Sequence, residues 1–264
     1  MSARGIVAGT ADAIVVRSVS KSFGAAAGGL KVLDDISLNV ANGRFVTLVG
    51  PSGCGKSTLL QIIAGLVPAS EGEILIEGEP LAGPRPSATG IVFQDALLLP
   101  WKTAAQNVEF PLALRGGDAT RRRARALDML ALVGLAEVAE SYPHQLSGGM
   151  RQRVAIARGL VEDPKILLMD EPFAALDEQT RTKMGGELLQ IWERSSKTIL
   201  FITHGLTEAI FLADTVLVMQ ARPGRIVERI DVELPRPRSY DMIGSEYFGR
   251  VRNQIWHLLA EQVP

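Results

Sequence analysis

Cysteine is nearly absent from this chain. The single one, Cys54, excludes a disulfide within the chain and suits a reducing compartment. An excess of either charge is also missing. Lys and Arg number 28, Asp and Glu 29, and the net charge of −1 leaves no electrostatic footprint for general nucleic-acid binding. Long apolar runs are missing too. A bilayer-spanning helix needs about 20 apolar residues, and ALLLPW (96–101) and TILFIT (198–203) fall far short. The opening MSARGIVAGTADAIVV has no apolar centre followed by a cleavage site, so no secretory leader is expected. No internal repeat is found. His144 and His257 have no metal-ligand spacing with each other or with Cys54, so no structural metal is expected.

What is present is globular. The 264 residues, 47% hydrophobic and 22% charged, are enough for one large domain or a domain with a subdomain. Strand-like runs fall at 13–19, 44–50, 72–78, 90–93, 165–170, 198–203, 214–219 and 224–230, bounded by Gly, Pro or Asp. Several are continuously apolar, as parallel strands buried on both faces are. Helical patterns lie at 56–65, 119–133, 148–161, 178–195 and 206–213. Alternation from residue 44 onward implies an α/β fold. The stretch of about 95–160 has no convincing strand and reads as a helical subdomain inserted in the core. AAAGG (25–29) reads as a flexible hairpin tip, and PRPR (235–238) as a boundary before a short helix over roughly 244–261.

Chemistry concentrates in a few places. GPSGCGKST (50–58) fits the pattern G-x-x-x-x-G-K-[ST] and stands between a strand and a helix, the context that distinguishes it from a chance Gly-rich turn. The residues Gly50, Pro51, Ser52, Gly53, Cys54, Gly55, Lys56, Ser57 and Thr58 would then wrap phosphates with backbone N–H groups. Lys56 would contact the β/γ-phosphates and the Ser57 hydroxyl a Mg²⁺ ion. Cys54 is read there as a small residue that fits rather than as a redox sensor. KILLMDE (165–171) is an apolar strand ending in two carboxylates. Asp170 could hold Mg²⁺ and Glu171 act as general base toward water, or the pair could cap the next element. Gln94 follows a strand and could ligate Mg²⁺, orient water or reach a partner. His204 also follows a strand; it could hold the attacking water or a γ-phosphate, although a lone strand-end histidine is more often structural. Phe23 could stack on adenine or pack in the core. RRRAR (121–125) reads as the solvated face of an amphipathic helix with Leu127, Leu130 and Val133 on another face. Finally, HQLSGGMRQR (144–153) opens a second helix with Ser147, Gly148 and Gly149, an anion site with no lysine in its loop.

Taken together these residues resemble the ATP-binding subunits of ABC transporters. In order, GPSGCGKST is similar to Walker A, Gln94 to the Q-loop, LSGGM (146–150) to the signature, ILLMDE (166–171) to Walker B, AALD (174–177) to the D-loop and His204 to the switch histidine. The resemblance covers nearly the whole chain. It implies a P-loop NTPase core with an antiparallel β subdomain and an inserted helical subdomain: an ATPase domain over 13–234, its helical subdomain at about 95–160, and an extension over 235–264. It implies ATP and Mg²⁺ at the site, with Ser57, Gln94 and Asp170 toward the metal and Glu171, His204 and Gln94 toward catalysis. Phe23 is implied as the adenine-stacking aromatic, and Asp177 as part of the nucleotide site. Ser147, Gly148 and Gly149 are implied to contact the γ-phosphate of ATP held by a second subunit, most simply another copy. Permease subunits in the membrane, an extracytoplasmic binding protein, no nucleic acid, and a place on the cytoplasmic face of the inner membrane complete the expectation.

A narrower resemblance is carried by FQDALLLPWKTAAQNVEFPLALRG (93–116), YPHQLSGGMRQRVAIARGL (142–160) and ARPGRIVERIDVELPRPR (221–238), which look like the importer ATPases of nitrate/sulfonate/taurine type. The implied function is the motor of an importer for a small anion; export or lipid trafficking, or a soluble non-transport ATPase, are the alternatives. Three positions depart from the pattern. Met150 replaces a glutamine, Gly205 stands where aspartate is usual, and Ala174 where serine or glycine is. Gly159, inside a helical pattern, is expected to cost about 0.5–1 kcal/mol relative to alanine.

Overall fold

The computed structural model describes residues 12–24, 29–174, 176–195 and 197–260. The ten strands of these residues are β1 (Asp12–Phe23), β2 (Leu30–Ala41), β3 (Phe45–Val49), β4 (Glu71–Ile76), β5 (Glu79–Pro80), β6 (Thr89–Val92), β7 (Ile166–Asp170), β8 (Thr198–Thr203), β9 (Thr215–Gln220) and β10 (Arg225–Asp231). The seven α-helices are α1 (Lys56–Ile63), α2 (Ala104–Arg115), α3 (Ala119–Leu132), α4 (Gly148–Leu160), α5 (Glu178–Ser195), α6 (Leu206–Leu212) and α7 (Glu246–Ala260).

The strands form two sheets. One is antiparallel throughout, in the order β2-β1-β4-β5. The other runs β10-β9-β3-β8-β7-β6, with every pair parallel except the edge strand β10. Side-chain alternation explains why its central strands are continuously apolar. Phe45 and Val49 of β3, Leu167 and Met169 of β7, and Ile199 and Phe201 of β8 enter one core. Their neighbours Val46 and Leu48, Ile166 and Leu168, and Leu200 and Ile202 enter the other, which the antiparallel sheet and α1 close. Helix α1 buries Leu59, Leu60, Ile62 and Ile63 there.

Between β6 and β7 the α-helices are α2, α3 and α4. Helix α2 opens with a capping box, in which the Thr103 hydroxyl accepts from Gln106 N and the Gln106 side chain accepts from Thr103 N. Asn107, fully buried, holds the preceding turn, donating to the carbonyls of Leu99, Lys102 and Thr103 and accepting from Leu99 N.

The structure corrects four expectations. Strand β2 is an addition to the expected strands: Ile36, Leu38 and Val40 alternate cleanly, but the Asp34–Asp35 pair before them, with Asp35 at φ 50°, breaks the pattern. On α3 the buried face is Ala126, Met129, Leu130 and, just past its end, Val133, whereas Leu127 is exposed. One residue is a 100° rotation, which takes Leu127 off that face. The RRRAR arginines are not simply solvated: Arg122 pairs with Glu109 at 3.3 Å and Arg123 with Glu140. Gly159 is not an idle helix glycine. A Cβ there would stand 3.0 Å from Val92 Cγ2, and one on Gly90 would lie 2.4 Å from the Gly159 carbonyl oxygen. Residues 25–28 of the anticipated hairpin tip lie outside the described residues; β1 and β2 pair up to Phe23 and Leu30 on either side of it.

This backbone contact between β6 and α4 gives a prediction. Gly90→Ala should destabilise the chain by about 1–3 kcal/mol through overpacking, measured by urea denaturation.

Candidate nucleotide site

The site is built at the carboxyl ends of β3, β7 and β8. After Val49 the chain turns through the Gly-rich loop into α1. Gly50 has no room for a side chain, since a Cβ would meet the Met219 carbonyl oxygen at 2.6 Å. Gly55, at φ 99°, is the α1 N-cap, and a Cβ there would meet Leu33 of β2 at 2.6 Å. The antiparallel sheet thus presses directly on the loop. Lys56, 5% exposed, begins α1 and turns its ammonium back to the carbonyls of Gly50 (2.9 Å) and Pro51 (3.1 Å). Cys54 is buried, and burial holds its thiol above its ordinary pKa, in keeping with a packing role.

Three elements, α1, β7 and β8, converge around Glu171. Ser57 donates to Asp170 Oδ1 at 3.0 Å, joining α1 to the end of β7. Burial raises the Asp170 carboxyl, against the Ser57 hydrogen bond; the charge of Glu171 raises it further and that of Lys56 lowers it. Glu171 sits at φ 43° and donates its N–H to Ile202 O at 2.9 Å. That left-handed conformation swings its side chain out of the strand direction. Its Oε1 lies 3.8 Å from Lys56 Nζ, and its Oε2 2.8 Å from His204 Nδ1. One carboxylate is therefore held between the P-loop lysine and the histidine after β8.

The remaining residues lie around this cluster. Thr58 follows within α1, while Ser52 and Gly53 are exposed at the tip of the loop. Gln94 is exposed just beyond β6. Phe23 is 46% exposed at the end of β1, with Lys21 Nζ 4.9 Å from its ring centre; the core-packing alternative is thereby removed. Ser147 caps α4, its hydroxyl accepting from Met150 N at 3.2 Å, and both Ser147 and Gly148 are exposed. A Cβ on Gly149 would meet Leu176 and Thr180 at 3.4 and 3.3 Å, so the signature borders the Asp177 loop rather than the chain's own P-loop lysine. Asp177 accepts from Thr180 N at 2.9 Å at the start of α5, and this bond lowers its carboxyl pKa.

Two residues near the site escaped the sequence reading. Leu33 supports Gly55, and it lies before the Asp34–Asp35 break, out of phase with the alternation that marks the rest of β2. Glu208 takes the hydrogen bond of the Thr203 hydroxyl, which in turn accepts from Gly205 N at 2.9 Å. A carboxylate lost at position 205 is thus present one helical turn later, a proximity that only the turn of the chain creates.

The geometry has counterparts. Residues 33–174, more than half of the chain, match the family described as ABC transporter. A taurine import ATP-binding protein of Rhizobium johnstonii is 50% identical over 204 residues, 77% of this chain and 78% of its own. An aliphatic sulfonates import ATP-binding protein of Bacillus cereus is 43% identical over 242 residues, 92% and 94% of the two chains. Among solved structures, a dimeric post-hydrolysis state of an ATP-binding cassette bound to ADP and Pi superposes with a TM-score of 0.76. It shares 34% identity and covers 84% of this chain and all of its own.

Burial raises the Glu208 carboxyl above its ordinary value, with the Thr203 hydrogen bond opposing. An acid whose folded pKa lies above its unfolded one stabilises the fold at low pH and loses that stability as pH rises through the folded value. Glu208→Gln, which does not ionise, should therefore gain stability relative to the parent as pH rises from the ordinary glutamate range through the raised folded value. Urea midpoints across that range check this; a pH-independent difference would count against it.

Proposed function

The chain belongs to the ABC transporter family, and we propose that it is the ATP-hydrolysing motor of an importer for a small organic anion, of the sulfonate or taurine type. The observation that carries the reading is the clamp on Glu171 between Lys56 and His204, beside the Ser57–Asp170 bond. The chain hydrolyses ATP. Lys56 and the loop N–H groups would bind the phosphates, with Phe23 against the adenine. Glu171 would accept the proton of the water that attacks the γ-phosphorus, and His204, hydrogen-bonded to Glu171, would hold that carboxylate and the water in line. Ser57 Oγ and Asp170 Oδ1, adjacent hard oxygen donors, suit Mg²⁺, as does the Gln94 amide. Bound there, Mg²⁺ would neutralise charge on the phosphoryl oxygens.

Ser147, Gly148 and Gly149 form the other half of a site. The exposure of Ser147 and Gly148 at the α4 N-terminus, with Gly149 against Leu176 and Thr180, fits a head-to-tail pair of copies in which each signature completes the partner's nucleotide site. Permease subunits fit the region 94–107. Leu97 and Trp101 stand 60% and 70% exposed there, beside a groove lined by Phe93, Phe110, Pro111 and Leu114. No helix of the described residues is long and apolar enough to cross a membrane. A peripheral seat on the cytoplasmic face, with permease partners and a separate extracytoplasmic binding protein, follows from this reading. Transport of sulfonates, taurine and nitrate in a strain lacking the gene tests the substrate class.

The shared-site geometry makes two predictions. Ser147→Arg should leave ATP affinity of the isolated chain within about twofold yet lower hydrolysis at least ~100-fold, whereas Lys56→Ala should weaken ATP binding about tenfold or more. Equal losses of affinity in the two variants would refute the shared site. Glu171→Gln, with ATP and Mg²⁺ at high protein concentration, should run as a dimer by light scattering; a monomer there would count against the closed pair.

A further inference from the structure

The segment after β10 does more than close the fold. Helix α6, which follows His204, is seven residues long and has no side-chain cap at its Gly205 N-terminus. A helix this short is marginal by itself, and its last carbonyls need partners. The PRPRSY segment (235–240) supplies them. Arg238 donates to the carbonyls of Ile210 (2.9 Å) and Phe211 (2.7 Å), and Arg236 to Leu212 (2.9 Å) and to Asp214 Oδ1 (2.8 Å). Arg236 also lies 4.2 Å over the Trp192 ring of α5. The Tyr240 ring stacks on Phe211, centroids 4.8 Å apart and planes 13° from parallel. The Tyr240 hydroxyl reaches α5 instead, donating to Thr182 O and accepting from Gly186 N at 3.1 Å.

Tyr240 therefore ties together the two helices that leave two loops of the site. Helix α5 starts directly after Asp177, and α6 two residues after His204. The fit is specific: a Cβ on Gly186 would stand 2.8 Å from the Tyr240 hydroxyl oxygen. Burial pushes the Arg238 guanidinium down to about 10, with the charge of Arg236 adding to the effect, so it remains charged at neutral pH.

We propose that residues 235–240 are a strap that sets the orientation of His204 against the Asp177 loop, with Tyr240 and Arg238 as positioning residues for ATP hydrolysis. The strap's hydrogen bonds and ring contacts go to α5, α6 and Asp214. It acts through α6, whose rotation would carry His204 away from Glu171. This rests on the ATPase reading above.

The test uses the full-length chain and steady-state ATP hydrolysis. Tyr240→Phe keeps the ring stack and removes only the two bonds to α5. It should lower kcat about 3–10-fold, leave KM for ATP within twofold, and shift the thermal midpoint by no more than a few degrees. Gly186→Ala, which displaces the hydroxyl while favouring the helix, should show the same kcat loss without a stability loss. In a His204→Ala background, Tyr240→Phe should cause no further loss. Wild-type kcat in both Tyr240→Phe and Gly186→Ala would overturn the strap, as would losses that multiply with His204→Ala. Glu171→Gln is the control: if it hydrolyses ATP normally, the catalytic assignment has failed, not the strap.

Discussion

The site depends on one register. In the parallel sheet, Val49 of β3 stands opposite Thr203 of β8, and Ile202 of β8 opposite Asp170 of β7. Three strands therefore end within one residue of one another. The residues next in the chain, Gly50, His204 and Glu171, leave the sheet at one edge. A shift of one residue in any of these strands would turn its apolar side chains between the two cores and carry its site residue out of reach. Burial on both faces makes such a slip costly, so the same apolar pattern that stabilises the sheet also positions the chemistry.

Glycines extend that control to the backbone. Gly50 lets the loop pass within contact of Met219, Gly55 lets β2 press beneath the start of α1, and Gly90 lets α4 lie against β6. Each of these contacts connects part of the site to another layer: the loop to the parallel sheet, the loop to the antiparallel sheet, and the signature helix to the strand that precedes Gln94. That last joint is reinforced by side chains. Gln152 of α4 donates to Phe93 O at 3.1 Å, and Arg158 to Ala96 and Leu97 carbonyls at 2.6 and 2.8 Å. Signature and Q-loop thus belong to one mechanical unit, although they serve different nucleotide sites in the proposed pair.

Much of this was legible in the sequence because the signals are local. Strand ends followed by Gly-rich or acidic residues, a serine before a helix and continuous apolar runs all act within a few residues. The misses were non-local or broken signals. Strand β2 was obscured where Asp34 and Asp35 interrupt its alternation, yet Asp34 is neutralised in the fold by Lys31 and by Arg225, 191 residues away. Leu127 groups with Leu130 and Val133 on a face away from the arginines when read by residue type, while the helical period puts it in solvent. PRPR reads in the sequence as a boundary, and its arginine clamp is not legible there, because the carbonyls it serves lie more than twenty residues earlier.

The sequence by itself determined where the Gly-rich loop, the paired carboxylates, the Ser-Gly-Gly helix start and the α/β alternation lie, since these are patterns of near neighbours along the chain. Tertiary structure alone decided which of these groups meet. Lys56, Glu171 and His204 are far apart in sequence and touch only because parallel strands end together. The signature beside Ser147 packs instead against Leu176 and Thr180, on either side of Asp177. Hydrogen bonds and ion pairs act over a few ångströms of space, and only the packing of the sheets converts distance along the chain into that distance.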